Sequence, residues 1–212
     1  MSYGPRILLA LAAFLVVAAV AAFSLHRSSA IQSGSSTIDE SAEEYAVYSA
    51  LIRERFINEH VKVLVIQNRT LYYANPDYLK STTAEERIQD LKKYCPSVDE
   101  SALNDFEAKH MKPGELDANF TLPLKYVLVD KAEFDEAQTK DGREIVEKFY
   151  ERYPDTEGMI GLSKVGFNKE HNQAFLRVEF TFCPLCSFGV KVLLKKELGK
   201  WKIADTFGGW AS

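Results

Sequence analysis

The sequence predicts an α+β domain: an N-terminal membrane helix, then helices packed on a curved antiparallel sheet that ends in a four-stranded C-terminal meander. Three observations carry this. Ile7 to Phe23 is an unbroken apolar run, long enough to approach a membrane span and longer than an ordinary signal-peptide core. Residues 41–153 hold several amphipathic stretches with helix-capping residues at their starts. From Ile160 to the end, apolar and polar side chains alternate with the period of two that marks half-buried strands.

Met1 to Arg6 carries one positive side chain before the apolar run, and Leu25-His26-Arg27 follows it. Residues 1–27 therefore read as an uncleaved signal anchor, with a cleaved signal peptide ending near Ala30 as the alternative. The expected location is the cell membrane, as a single-pass protein with the domain outside the cytoplasm, or, after cleavage, a secreted or periplasmic domain. Residues 28–37, rich in serine, read as a linker. Residues 38–212 are then one exported domain, of a size that builds its own core.

Ser41-Ala42-Glu43-Glu44 has the form of a capping box, and Tyr45, Tyr48, Leu51, Ile52 and Phe56 recur at helical spacing behind it. Val61 to Ile66 is a short β-branched run suited to a buried strand beside the meander. Asn68 to Ser81 looks irregular, with a turn at Asn75-Pro76-Asp77. Thr83-Ala84-Glu85-Glu86 predicts a capped helix with Ile88 and Leu91 inward. Ser97 to Glu100 predicts another, with Leu103 and Phe106 inward. A brief strand at Tyr126 to Val129 and an amphipathic helix over Arg143 to Tyr153, stopped by Pro154, complete the middle of the chain.

In the meander, Ile160 to Phe167 leads through the polar turn Asn168 to Asn172 into Ala174 to Phe182. There Leu176, Val178, Phe180 and Phe182 oppose Arg177, Glu179 and Thr181. Phe188, Val190, Val192 and Leu194 repeat the pattern against Lys191, Lys195 and Glu197. Leu198-Gly199-Lys200 then forms a tight turn before Trp201 and Ile203.

The 212-residue chain holds 26 basic and 30 acidic side chains. Past residue 30 the balance is 24 to 30, a formal charge of −6. Without a concentrated basic surface, nucleic acid is excluded as a partner. No phosphate-binding glycine loop, nucleophile elbow, dinucleotide fingerprint or paired metal-binding histidines occurs in the sequence, so no cofactor is expected and no catalytic residue can be chosen. The compact reactive motif is Cys183-Pro184-Leu185-Cys186. Three readings stand open for it: a structural turn closed as a disulfide or kept as thiols, a redox dithiol, or half of a zinc site completed by Cys95 and one of His60, His110 or His171. Asn68-Arg69-Thr70 and Asn119-Phe120-Thr121 match the glycosylation acceptor pattern.

Gly166-Phe167-Asn168, Asn172-Gln173-Ala174, the cysteine pair before Gly189, Leu193-Leu194 and Gly199-Lys200-Trp201-Lys202 resemble a family of exported or membrane-anchored bacterial proteins of unknown function. The helix from Glu44 and the strand Val61 to Thr70 extend the resemblance over nearly the whole exported part. In that family a glycine often follows each cysteine; Pro184 and Ser187 stand there in this chain. The resemblance implies an envelope protein and no particular activity. At the level of fold, the chain is similar to nuclear-transport-factor-2-like cones. There the inner face of Ala174 to Leu194 would line a pocket, or else fill a core. Two functions follow as expectations: a tethered non-enzymatic module that binds a protein or small-molecule ligand, or a small-pocket or thiol enzyme.

Overall fold

The computed structural model of the chain describes residues 39–132, 148–183 and 186–211. The expected anchor at 1–27 and linker at 28–37 lie outside the described residues. Among those described, no helix is long and apolar enough to cross a membrane.

Helix α1 (Glu40–Arg55) opens the fold, with Asp39 as its N-cap, accepting from the backbone N–H groups of Ser41 and Ala42. The predicted Ser41–Glu44 capping box is therefore not what starts this helix. Glu44 turns inward instead, where its carboxylate takes the Tyr48 hydroxyl and the Val165 N–H, both at 2.8 Å. Tyr48, Leu51 and Ile52 are fully buried as the spacing predicts; each contributes about 2 kcal/mol of apolar burial. Val47 and Ala50 are buried as well. The segment 116–122 wraps the outer side of α1 and binds it through Tyr45 and Ser49, so the helix is covered over more than one stripe.

Strand β1 (Val63–Gln67) follows, then a short helix α2 (Pro76–Ser81), which occupies part of the stretch expected to be irregular. The reason is local: Asn75 caps it by accepting from Asp77 and Tyr78 N–H, and Pro76 holds a helical φ at the first position. Helix α3 (Ala84–Tyr94) has the full Thr83–Glu86 capping box. Helix α4 (Glu100–Lys109) starts at Asp99, while Ser97 bonds Asp205. Strand β2 (Lys125–Val129) comes next. Residues 148–152 are helical, and the remainder of the helix predicted from Arg143 lies outside the described residues.

The sheet has seven strands in the order β2-β1-β3-β5-β6-β7, with β4 paired to β5. The meander consists of β3 (Met159–Leu162), β4 (Gly166–Phe167), β5 (Gln173–Cys183), β6 (Cys186–Glu197) and β7 (Lys200–Ala211). It is antiparallel throughout, and β5–β6 and β6–β7 are hairpins, as the alternation predicts. Leu198 and Gly199 take positive φ in the second turn, where two-residue hairpins need it. The expectation of a wholly antiparallel sheet requires correction: β1 pairs in parallel with both β2 and β3. Long connections after β1 and β2 return the chain to the same end of the sheet, and such connections permit parallel neighbours where a tight hairpin does not.

The two faces of the sheet are covered differently. On one face, Ala174, Leu176, Val178, Val192 and Leu194 pack with α1 in the largest core cluster. On the other, a second cluster joins α3 and α4 to Phe175, Leu193 and Phe207, and a third joins Phe149 to Val65, Val129 and Met159. Between these two patches the described residues leave the second face open.

Candidate functional site

The open stretch of the second face is built by β5, β6 and β7. Arg177, Glu179, Lys191 and Gly189 supply its floor, because strand alternation sends their positions away from α1. Register places Arg177 opposite Lys191, and sets Glu179 between Gly189 on β6 and Gly161 on β3. Side chains from neighbouring elements close in on both sides of Glu179: Leu71 and Gln67 pack over Gly161, and Trp210 packs over Gly189. Trp210, the cross-strand partner of Gly189, lies over it: a Cβ at position 189 would come within 2.6 Å of the indole Nε1. An indole thus occupies space that only glycine leaves free, and Trp210 still keeps 43% of its surface exposed.

The wall is delivered by the chain after β1. Leu71 N–H donates to the Leu162 carbonyl, and Tyr73 N–H to that of His110, which brings residues 71–73 across the end of β3. Tyr73 and Tyr78 then stand with ring centres 5.8 Å apart. Behind them lies a network that sequence reasoning missed. Arg87 Nε donates to Glu107 Oε1 at 2.6 Å, and the Tyr73 hydroxyl donates to the other oxygen at 3.0 Å. The side chains of Arg87 and Glu107 are only 6% and 4% exposed. A second Arg87 nitrogen reaches the Thr82 carbonyl at 2.7 Å. Burial beside the Glu107 carboxylate drives the Tyr73 hydroxyl well above the usual phenol range, so it remains a donor.

Two adjoining cavities of about 340 and 470 Å³ open here, and both are lined by Tyr73, Tyr78, Arg177 and Trp210. That is within the range of small-molecule sites, which run to roughly 300–1,000 Å³. On the floor, Arg177 is ion-paired with Glu179. Lys191 has no ion pair among the described residues.

The residues singled out from sequence fall elsewhere. Cys183 and Cys186 meet in close contact at the end of the β5–β6 hairpin, with Cα atoms 4.7 Å apart. Strands flank them, as the alternation predicts, and Tyr150 donates to the neighbouring Phe182 carbonyl at 3.0 Å. Cys95 is fully buried in the second cluster among Leu91, Phe175 and Phe207, and burial pushes its thiol up to about 11. His60 is exposed beside Glu59. His171 stacks on Phe167. His110 lies between Phe106 and Tyr73, where burial pulls its imidazole down to about 4. The four candidate zinc partners are therefore dispersed, and among the described residues no group of three or more His, Cys, Asp or Glu gathers to hold a metal. Of the acceptor asparagines, Asn119 is exposed and Asn68 half-buried.

The inner face of Ala174 to Leu194 fills the core against α1; the cavities lie on the reverse side of the same strands. A signal for this was present in Arg177, Glu179 and Lys191, whose positions read as a solvated sheet face. Missing was the wall, since nothing in sequence spacing brings Tyr73 to Trp210. No family model, curated protein or solved structure matches the chain.

Proposed function

We propose that the protein is an exported, membrane-tethered module that binds a small molecule non-enzymatically in the groove between Tyr73 and Trp210. The observation carrying this reading is the convergence of three partly exposed aromatic rings and a charged floor on a wall held rigid by the buried Arg87–Glu107 pair. Such a wall is ordered before any ligand arrives, which lowers the entropic cost of binding. Tethering rests on the apolar run Ile7 to Phe23 and on the resemblance to exported bacterial proteins. On the same reading, the close cysteine contact is a disulfide that fastens the hairpin end in an oxidising compartment.

The test is a thermal-shift screen of the purified full-length protein against small molecules. A groove ligand at a hundred times its Kd adds about 2.7 kcal/mol of stability, which corresponds to roughly 5–10 °C in a domain of this size. The shift should vanish in Trp210→Ala. Failure of every compound in the screen, or a shift that survives in Trp210→Ala, would count against the groove.

A small-pocket enzyme is the second reading, and Glu179 favours it, because this carboxylate lines one of the cavities beside Tyr73 and Trp210. Conversion of a bound compound to product, lost in Glu179→Gln, would establish it in place of the first.

A further inference from the structure

Among the charges that line the groove, Arg177 and Lys191 are direct cross-strand partners and face the same side of the sheet. Like charges so placed repel, and a sheet gains nothing from the arrangement when empty. Arg177 is offset by Glu179, and Arg87 by Glu107 behind the wall. That leaves Lys191 and Lys131 against Asp90. Among the described residues the groove therefore keeps a surplus of one positive charge, in a chain whose sequence past residue 30 carries −6. Above this surplus stand the flat faces of Tyr73, Tyr78 and Trp210.

We infer that the ligand is a flat ring bearing a single carboxylate, with the carboxylate between Lys191 and Arg177 and the ring against Trp210 and the tyrosines. The inference rests on the groove being the binding site. A lone carboxylate matches the local charge, whereas a phosphate monoester would bring about two negative charges near pH 7. A carboxylate placed there converts the repulsive Arg177–Lys191 pair into two charge-assisted hydrogen bonds. Aromatic faces supply ring recognition with little loss of side-chain freedom.

Calorimetric titration of the full-length protein with 2-naphthoate and with its uncharged analogue 2-naphthamide separates the two ideas. The carboxylate is expected to bind about tenfold or more tightly than the amide, as charge-assisted hydrogen bonds imply. Lys191→Met should remove that advantage by weakening the carboxylate far more than the amide, and Trp210→Ala should weaken both. Added salt should erode only the carboxylate's affinity. Equal binding of the two probes, abolished by Trp210→Ala, would overturn the anion while keeping the groove. Binding of neither probe to a folded protein would overturn both.

Discussion

Arg87 and Glu107 form a buried ion pair 20 residues apart in sequence, with Nε 2.6 Å from Oε1, and the pair holds a third residue, Tyr73, in the wall of the groove. Arg87 also stands over the Tyr73 ring, 5.7 Å from its centre. The ion pair thus couples helix α3 to helix α4 and both to the site.

Breaking that pair from one side should be costly. Glu107→Leu leaves a guanidinium buried without its carboxylate, and the expected loss is about 3 kcal/mol. Arg87→Met together with Glu107→Leu removes both charges and should restore most of that stability. Ligand affinity should nevertheless stay low in the double variant, because Tyr73 has lost its acceptor. Urea unfolding of the two single variants and the double variant checks the first part, and the naphthoate titration the second. Additive losses in the double variant would mean that the two side chains act independently.

Lys191→Met should not destabilise the empty protein. It removes the charge opposite Arg177, which is worth up to about 0.5 kcal/mol in favour of the variant. The urea midpoint is then expected to hold or rise slightly. A loss above about 1 kcal/mol would show that the lysine stem packs against the sheet rather than serving the groove.

Acid should weaken the fold through His110. This residue is 1% exposed, and its buried Nδ1 has no hydrogen-bond partner among the described residues. Burial, aided by the nearby Arg177 charge, lowers its pKa from 6.5 to about 4. Between those values the unfolded chain takes up a proton that the folded one refuses, so stability is full above pH 6.5 and falls as pH drops toward 4. The total loss is about 3 kcal/mol. Glu40 and Glu43 are held below the usual carboxylate value by Lys109 and by Lys196 with Trp201 respectively, so their contribution is lost only at still lower pH. Across pH, the stabilities of the native protein and of His110→Phe from urea unfolding should differ in slope between pH 6.5 and about 4 and run parallel on either side of that window.

Much of the frame was legible because it is written in local periodicity. Tyr48, Leu51 and Ile52 fall on one helical stripe, Val178 and Val192 on one strand parity, and Gly199 in a two-residue turn. Parallel pairing of β1 was not legible, since strand direction is set by where long connections land. Arg87 was hidden for a related reason: it sits mid-helix among surface charges, and only the tertiary fold shows that Glu107 meets it. The groove combines both difficulties, joining residues 73 and 210 through pairings that no short window contains.

Two glycines should be intolerant of even a methyl group. A Cβ at Gly166 would lie 2.4 Å from the Ala102 carbonyl oxygen and 2.5 Å from the Phe106 nitrogen. Both are backbone atoms of α4, so Gly166→Ala must push the helix off β4, at a cost of about 1–3 kcal/mol. Gly189→Ala instead strikes the Trp210 indole, which can swing outward. The second variant is expected to lose less stability and more ligand affinity than the first. Parallel melting and titration of the two decide the matter; the reverse ranking would place the rigid contact at Trp210.

Mass spectrometry of protein taken from cells and alkylated without reduction reads the N-terminus and the cysteines together. The native fold should take up no label, since Cys95 is fully buried and its thiol is pushed up to about 11, while the proposed Cys183–Cys186 bridge leaves neither sulfur free. Denaturation without reductant should expose Cys95 alone and add one label. Denaturation after reduction should add three, one for each cysteine in the chain. Because the bridged loop is short, reduction is expected to cost no more than about 2 kcal/mol, so the fold should survive it. Labels on Cys183 and Cys186 before reduction would show that the hairpin end is kept as thiols, and the redox and metal readings of this pair would then take precedence over a structural one. In the same spectra, a mass that retains residues 1–30 supports the anchor, and a mass lacking them shows cleavage near Ala30.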